Sequence, residues 1–138
     1  MNPQPSAIDL DRMAADFLTA VNSRDAKAYT ALFAPDIVYG DMGFHLTFNG
    51  QTELEKWYAD WFEAFPDCTV SLRNGFISGN SAVMEWEFTA TLEGSFHTVP
   101  DTMRGKTRTV QGVAIVQLDA AGKIKTHRDY WSVPDLIT

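Results

Sequence analysis

Two short stretches of this chain hold residues whose types and spacing suit chemistry. Near the end Lys125, His127, Asp129 and Trp131 alternate, so an extended backbone puts imidazole, carboxylate and indole on one face. Near residue 40, Ile37, Tyr39 and Asp41 alternate in the same way. Burial disfavours the charged form of a carboxylate and raises its proton affinity, which suits general acid/base work. An imidazole two residues away could share or relay that proton. Each group also has a plainer reading. Asp129 beside Arg128 could be a surface ion pair, Asp41 a turn carboxylate bonded to local backbone, and His127 a packed or solvated side chain. His45 and His97 lie in polar stretches without metal-ligand spacing and read as solvated.

Helices and strands must position these groups. Ser6 is a plausible N-cap with Asp9 three residues on. Leu10, Met13, Ala14, Phe17, Leu18 and Val21 then recur at helical spacing. Asp25 can cap a second short helix that Pro35 ends. Thr52 and Glu55 form a capping box for a third, whose apolar face carries Leu54, Trp57, Tyr58, Trp61, Phe62 and Phe65. The rest is strand-rich. Val70–Phe76 and Ala82–Leu92 flank the turn Ser78-Gly79-Asn80-Ser81, a hairpin signal. Ala82, Met84, Trp86, Phe88, Ala90 and Leu92 alternate with more polar neighbours, which predicts one covered face. A polar connection from Gly94 to Thr107 leads to strands over Val110–Leu118 and Lys123–Trp131. The order predicts an α+β fold: a curved antiparallel sheet with three N-terminal helices enclosing an apolar pocket, one domain over residues 1–138.

Composition narrows the function classes. Nine Phe, four Trp and four Tyr in 138 residues supply enough rings for a pocket wall as well as a core. A net charge of −7 with scattered Lys and Arg argues against a nucleic-acid partner. The single cysteine, Cys68, excludes an intramolecular disulfide framework and reads as a small hydrophobe. The first residues lack a signal-peptide pattern and no apolar run is long enough for a membrane span. A reduced, cytoplasmic protein with no membrane partner is expected.

The stretch FLTAVNSRDAKAYTALFAPDIVYGDM resembles the opening of the nuclear-transport-factor-2-like superfamily of cone-shaped α+β barrels. That superfamily includes ketosteroid isomerase, limonene epoxide hydrolase, scytalone dehydratase and the SnoaL-like polyketide cyclases. The closing DAAGKIKTHRDYWSVPDL resembles the last strand of the same superfamily, and the connection GSFHTVPDTMRGKTRTV and the His127-Arg128-Asp129 run are similar to the SnoaL-like group. The resemblance implies Asp129 as general acid/base and His127 as its pocket neighbour. Asp41 matches the isomerase's base, and the isomerase's two oxyanion donors fall at Phe17 and Ala114, which cannot donate. Tyr39 matches a water-positioning tyrosine of the epoxide hydrolase, but Met84-Glu85-Trp86-Glu87-Phe88 lacks that enzyme's arginine.

The expectation is a cofactor-independent, metal-free acid/base enzyme acting on a small apolar carbonyl compound, as a cyclase or isomerase. Asp129 leads, His127 is its neighbour, and Asp41 with Tyr39 forms a second polar cluster across the pocket. Phe17, Trp57, Trp61, Met84, Trp86, Phe88, Ala114 and Trp131 are the candidate walls. A hydrolase or dehydratase, or a non-catalytic binding or dimerisation module, are the alternatives. A homodimer through the outer sheet face is expected.

Overall fold

A computed structural model describes residues 9–138. Helix α1 spans Leu10–Asn22, capped by Asp9, whose carboxylate accepts from the Arg12 N–H at 3.1 Å. Asp9 is thus the cap itself, and Ser6 lies outside the described residues. Helix α2 spans Ala26–Thr30, and Asp25 caps it as expected by accepting from the Lys27 and Ala28 amides. It ends before Pro35, which instead lies within strand β1 (Phe33–Asp41).

Strand β2 (Leu46–Asn49) folds back on β1, and helix α3 (Gln51–Ala64) follows. Its start is not the expected capping box. Gly50 occupies the cap at φ 91°, a conformation that favours glycine. Glu53 reaches back to the Asn49 N–H at 2.8 Å. The other strands are β3 (Thr69–Ser78), β4 (Ser81–Thr91), β5 (Thr107–Leu118) and β6 (Ile124–Trp131), and a short helix α4 (Pro134–Ile137) comes last. A single 3₁₀ turn, Asp101–Met103, interrupts the connection before β5.

The six strands form one curved, unclosed sheet in the order β2-β1-β6-β5-β4-β3. Two features differ from the sequence expectation. The β1–β6 pair is parallel, so the sheet is mixed. The hairpin β1–β2 also separates α2 from α3, so the helices do not form one N-terminal block. The pairing of β1 with β6 is long-range and leaves no local sequence signal, whereas the β3–β4 hairpin has its turn residues.

One face of the sheet is covered. Along β4 the alternation is as expected: Ala82, Met84, Trp86, Phe88 and Ala90 are buried. Phe17 and Val21 of α1 and Leu54, Trp57 and Phe62 of α3 pack into the same core. The Asn22 side-chain amide pins α1 to the edge of the sheet, donating to the Val70 carbonyl at 2.9 Å and accepting from its N–H at 2.7 Å. This satisfies backbone groups that an edge strand leaves open. Among the described residues no helix is long and apolar enough to cross a membrane.

Candidate active site

The site starts from the parallel pair. The register places Tyr39 beside His127 and Asp41 beside Asp129. Ile37, Tyr39 and Asp41 are all buried, as their alternation required. On β6 the expected row breaks at Lys125, which is exposed while Ile124 and His127 are buried. The cause is a bulge. Thr126 pairs with Gln117 and Ile124 with the next residue, Leu118, so Lys125 has no partner on β5.

Four side-chain protons are organised around Asp129. Its carboxylate accepts from the Trp86 indole N–H at 3.1 Å, from His127 Nε2 at 2.9 Å and from the Tyr39 hydroxyl. The Tyr39 hydroxyl also bonds the Tyr58 hydroxyl. A phenol has one proton. With Tyr39 donating to Asp129, Tyr58 must donate to Tyr39, and the chain runs Tyr58 to Tyr39 to Asp129. Burial, and the nearby carboxylate, hold the Tyr39 phenol protonated well above its ordinary range. His127 is fully buried and stacks on Tyr39 with centroids 4.4 Å apart. Its Nδ1 has no partner. The neutral tautomer with its proton on Nε2 therefore fits, since a charged ring would strand a buried N–H.

Asp41 is held differently. The Trp131 indole N–H and the Phe44 backbone N–H both donate to its Oδ1, each at 2.9 Å. Burial raises its proton affinity most, the two N–H groups offset this in part, and the Asp129 charge raises it further, leaving a pKa of about 6 against an ordinary 3.8.

Both indoles lie over glycines. A Cβ on Gly112 would come within 2.3 Å of the Trp86 ring, and one on Gly43 within 2.3 Å of the Trp131 ring. Gly112 faces Trp86 on one side and Trp131 on the other, and the next inward residue of β5, Ala114, faces Asp129. These small residues let the Trp86 indole reach across β5 to a carboxylate two strands away.

A cavity of about 90 Å³ opens over the carboxylates. Asp41 and Asp129 line it with Trp57, Trp61, Trp86 and Trp131.

A SnoaL-like domain family model matches residues 14–127, most of the chain. The chain belongs to the SnoaL-like domain family. No curated protein matches it in sequence. Solved structures of similar shape share little sequence. A hypothetical protein with a ketosteroid isomerase-like fold from Catenulispora acidiphila, in complex with trimethylamine, is 17% identical with a TM-score of 0.76, over 88% of this chain and 86% of that one. AclR, a putative hydroxylase from Streptomyces galilaeus, is 20% identical with a TM-score of 0.75, over 91% and 90%. A putative SnoaL-like polyketide cyclase from a Jannaschia species is 16% identical with a TM-score of 0.73, over 97% and 92%.

Within this SnoaL-like domain the expected residues divide into three groups. Asp41, Asp129, Phe17, Trp57, Trp61, Trp86, Phe88 and Trp131 line the cavity. Tyr39 and His127 do not line it: His127 bonds the cavity-lining Asp129, and Tyr39 bonds both Asp129 and the cavity-lining Tyr58. Met84 and Ala114 are buried and do not line it. The expected cluster across the pocket is also corrected. Asp41 sits on the strand next to Asp129, and Tyr39 belongs to the Asp129 network, because the parallel register aligns the two rows. His45 and His97 are exposed. Cys68 is buried and its thiol is pushed up to about 12 by burial, so it is an inert wall.

Tyr58 is the functional group that sequence reasoning left among the core residues. Its signal was a phenol within the otherwise apolar stripe of α3, since a buried hydroxyl needs a partner.

Proposed function

We propose that this SnoaL-like domain is an acid/base catalyst of the isomerase or cyclase type, acting on a small, mostly apolar carbonyl compound. The observation that carries this is the pair of carboxylates side by side on parallel strands at an aromatic cavity, each fixed by its own indole N–H.

Asp41 is the better proton carrier of the two. A group with a pKa of about 6 is largely ionised at neutral pH yet more basic than an ordinary carboxylate. Asp129 already accepts from three side chains, and its carboxylate beside Asp41 adds to Asp41's proton affinity. Asp41 takes a proton from the carbon next to the carbonyl, and the electron pair moves onto the carbonyl oxygen. Tyr58, the cavity-lining phenol whose proton is aimed at Tyr39, is placed to turn that proton toward the developing charge. The enolate then either regains a proton from Asp41 at a different carbon or attacks a second carbonyl in the same molecule, whose oxygen takes the proton back from Asp41 as the carbon–carbon bond forms.

A water-steering role for Tyr39, as a hydrolase would need, is disfavoured by its surroundings. Its hydroxyl is engaged by both Asp129 and Tyr58, and the residue is 1% exposed.

The test is deuterium exchange next to the carbonyl of small cyclic ketones in D₂O, followed by proton NMR. Exchange above the buffer rate, lost in Asp41→Asn, is the expected result. No exchange with any ketone of the panel, or equal exchange by the Asn variant, would overturn the reading.

A further inference from the structure

All four tryptophans of the chain line one cavity, and two carboxylates share it. No lysine or arginine among the described residues lines it. The carboxylates are short of countercharge. Among the described residues the ion pairs that involve Lys or Arg are Arg73–Glu87 and Arg104–Asp101, and none of these four residues lines the cavity. His127 is the one titratable nitrogen touching Asp129, and its partnerless Nδ1 fits the neutral ring.

From these residues we infer that the cavity takes a small methylated ammonium group. The inference rests on the acid/base reading of the same site and names its substrate class: a carbonyl compound that carries such a cation.

Three physical arguments converge. A cation over indole faces is attracted by the ring quadrupole, Trp being the strongest such partner, and the attraction grows when water is excluded. Two adjacent carboxylates, one buried and one half-buried, without a cationic partner are costly, so a bound positive charge relieves both. The hydrogen-bond inventory then sets the kind of cation. Asp129 takes three side-chain donors, and Asp41 takes an indole and a backbone N–H, both on Oδ1, so Oδ2 is the one carboxylate oxygen here that takes neither. A primary ammonium would bring three N–H groups, of which Oδ2 can take one, and would leave the others against a wall that is mostly carbon, whereas a methylated ammonium brings one N–H or none.

Size agrees. An apolar cavity of roughly 150 Å³ holds benzene, six heavy atoms. By the same ratio the 90 Å³ here suits about four heavy atoms, the size of a trimethylammonium group. The remainder of such a substrate would extend toward the opening. An ammonium near the carbonyl also makes the neighbouring carbon–hydrogen bond more acidic, so binding the cation and taking the proton assist each other.

The experiment needs no substrate. Intrinsic tryptophan fluorescence reports on the cavity directly, since every tryptophan lines it. The protein is titrated with tetramethylammonium chloride and, separately, with tert-butanol, a neutral molecule of similar shape, at constant ionic strength. The expected result is saturable binding of the cation with a Kd at least about tenfold below that of the alcohol. In Asp41→Asn, which keeps the shape of the side chain, this preference should shrink severalfold while the alcohol binds as before. Equal binding of the two probes, or no saturable response to the cation, would overturn the inference. Because the readout is binding, its failure leaves ketone exchange as an independent measure of the acid/base reading. Exchange could equally fail while cation binding stands.

Discussion

The Trp131 indole N–H donates to Asp41 Oδ1 at 2.9 Å across residues 90 apart in sequence, while the Trp86 indole does the same for Asp129 at 3.1 Å. The two carboxylates therefore share one design: an indole bedded on a glycine, aimed at a carboxylate on another segment. Indole is a donor only, so it fixes a carboxylate without offering a competing acceptor.

Asp41 should reveal itself in pH dependence. Its folded pKa of about 6 exceeds its ordinary 3.8, so the folded state binds the proton more tightly than the unfolded state. The stability this confers is present below about pH 4 and lost as pH rises through about 6. Asp41→Asn should therefore gain stability relative to the parent as pH rises from 4 to 7, by on the order of 2–3 kcal/mol at most. Urea melts across that range measure the difference. Activity should rise through an apparent pKa near 6, and the same substitution should abolish it.

Gly112→Ala tests the glycine bed. The added methyl meets the Trp86 ring and must tilt the indole away from Asp129. Overpacking of this kind costs typically 1–3 kcal/mol. The expected outcome is a lower Tm together with a changed near-UV circular dichroism signal from tryptophan. An unchanged near-UV spectrum would show that the ring does not move.

Asp129→Asn should reduce turnover by roughly 10²–10⁴-fold if Asp129 takes part in proton movement, and by less if it only sets the charge beside Asp41. Arg128 is exposed on the opposite face of β6, so Arg128→Gln should change little. Kinetics of exchange with a responsive ketone separate these outcomes. Tyr39→Phe offers a complementary measure. It leaves Tyr58 and Asp129 without their shared partner, and a buried unpaired group costs about 1–3 kcal/mol in stability.

A homodimer remains our proposal for the outer face of the sheet, where Val38, Phe76 and Tyr130 are exposed. Sedimentation at micromolar concentration should give about twice the 15.4 kDa chain mass, and Tyr130→Lys should shift it toward monomer. A single species at the chain mass would remove the proposal.

Local periodicity made much of this legible. The α3 stripe, the Asp25 cap and the β4 alternation depend on neighbours a few residues apart, and each appears as the sequence implies. Whatever depends on strands meeting at a distance was not legible. The alternation of Tyr39 and Asp41 placed them on one face but could not say which strand lay beside them. The break at Lys125 comes from a bulge set by pairing with β5, which a regular two-residue period cannot show. Gly43 and Gly112 carried no sign that an indole would occupy the space above each.

The parallel pairing of β1 with β6 also bears on when the protein can first function. Tyr39 and Asp129, like Asp41 and Trp131, stand 90 residues apart and meet only when β6 docks against β1. Closing a loop of that length costs entropy that only the last-formed contacts return, which places the site late in folding. The β3–β4 hairpin can form from local contacts well before then. A chain trapped short of that final docking would carry most of its sheet, and circular dichroism in the far ultraviolet would read it as nearly native. It would nonetheless hold neither carboxylate in place, so recovery of activity on refolding should lag behind recovery of secondary structure.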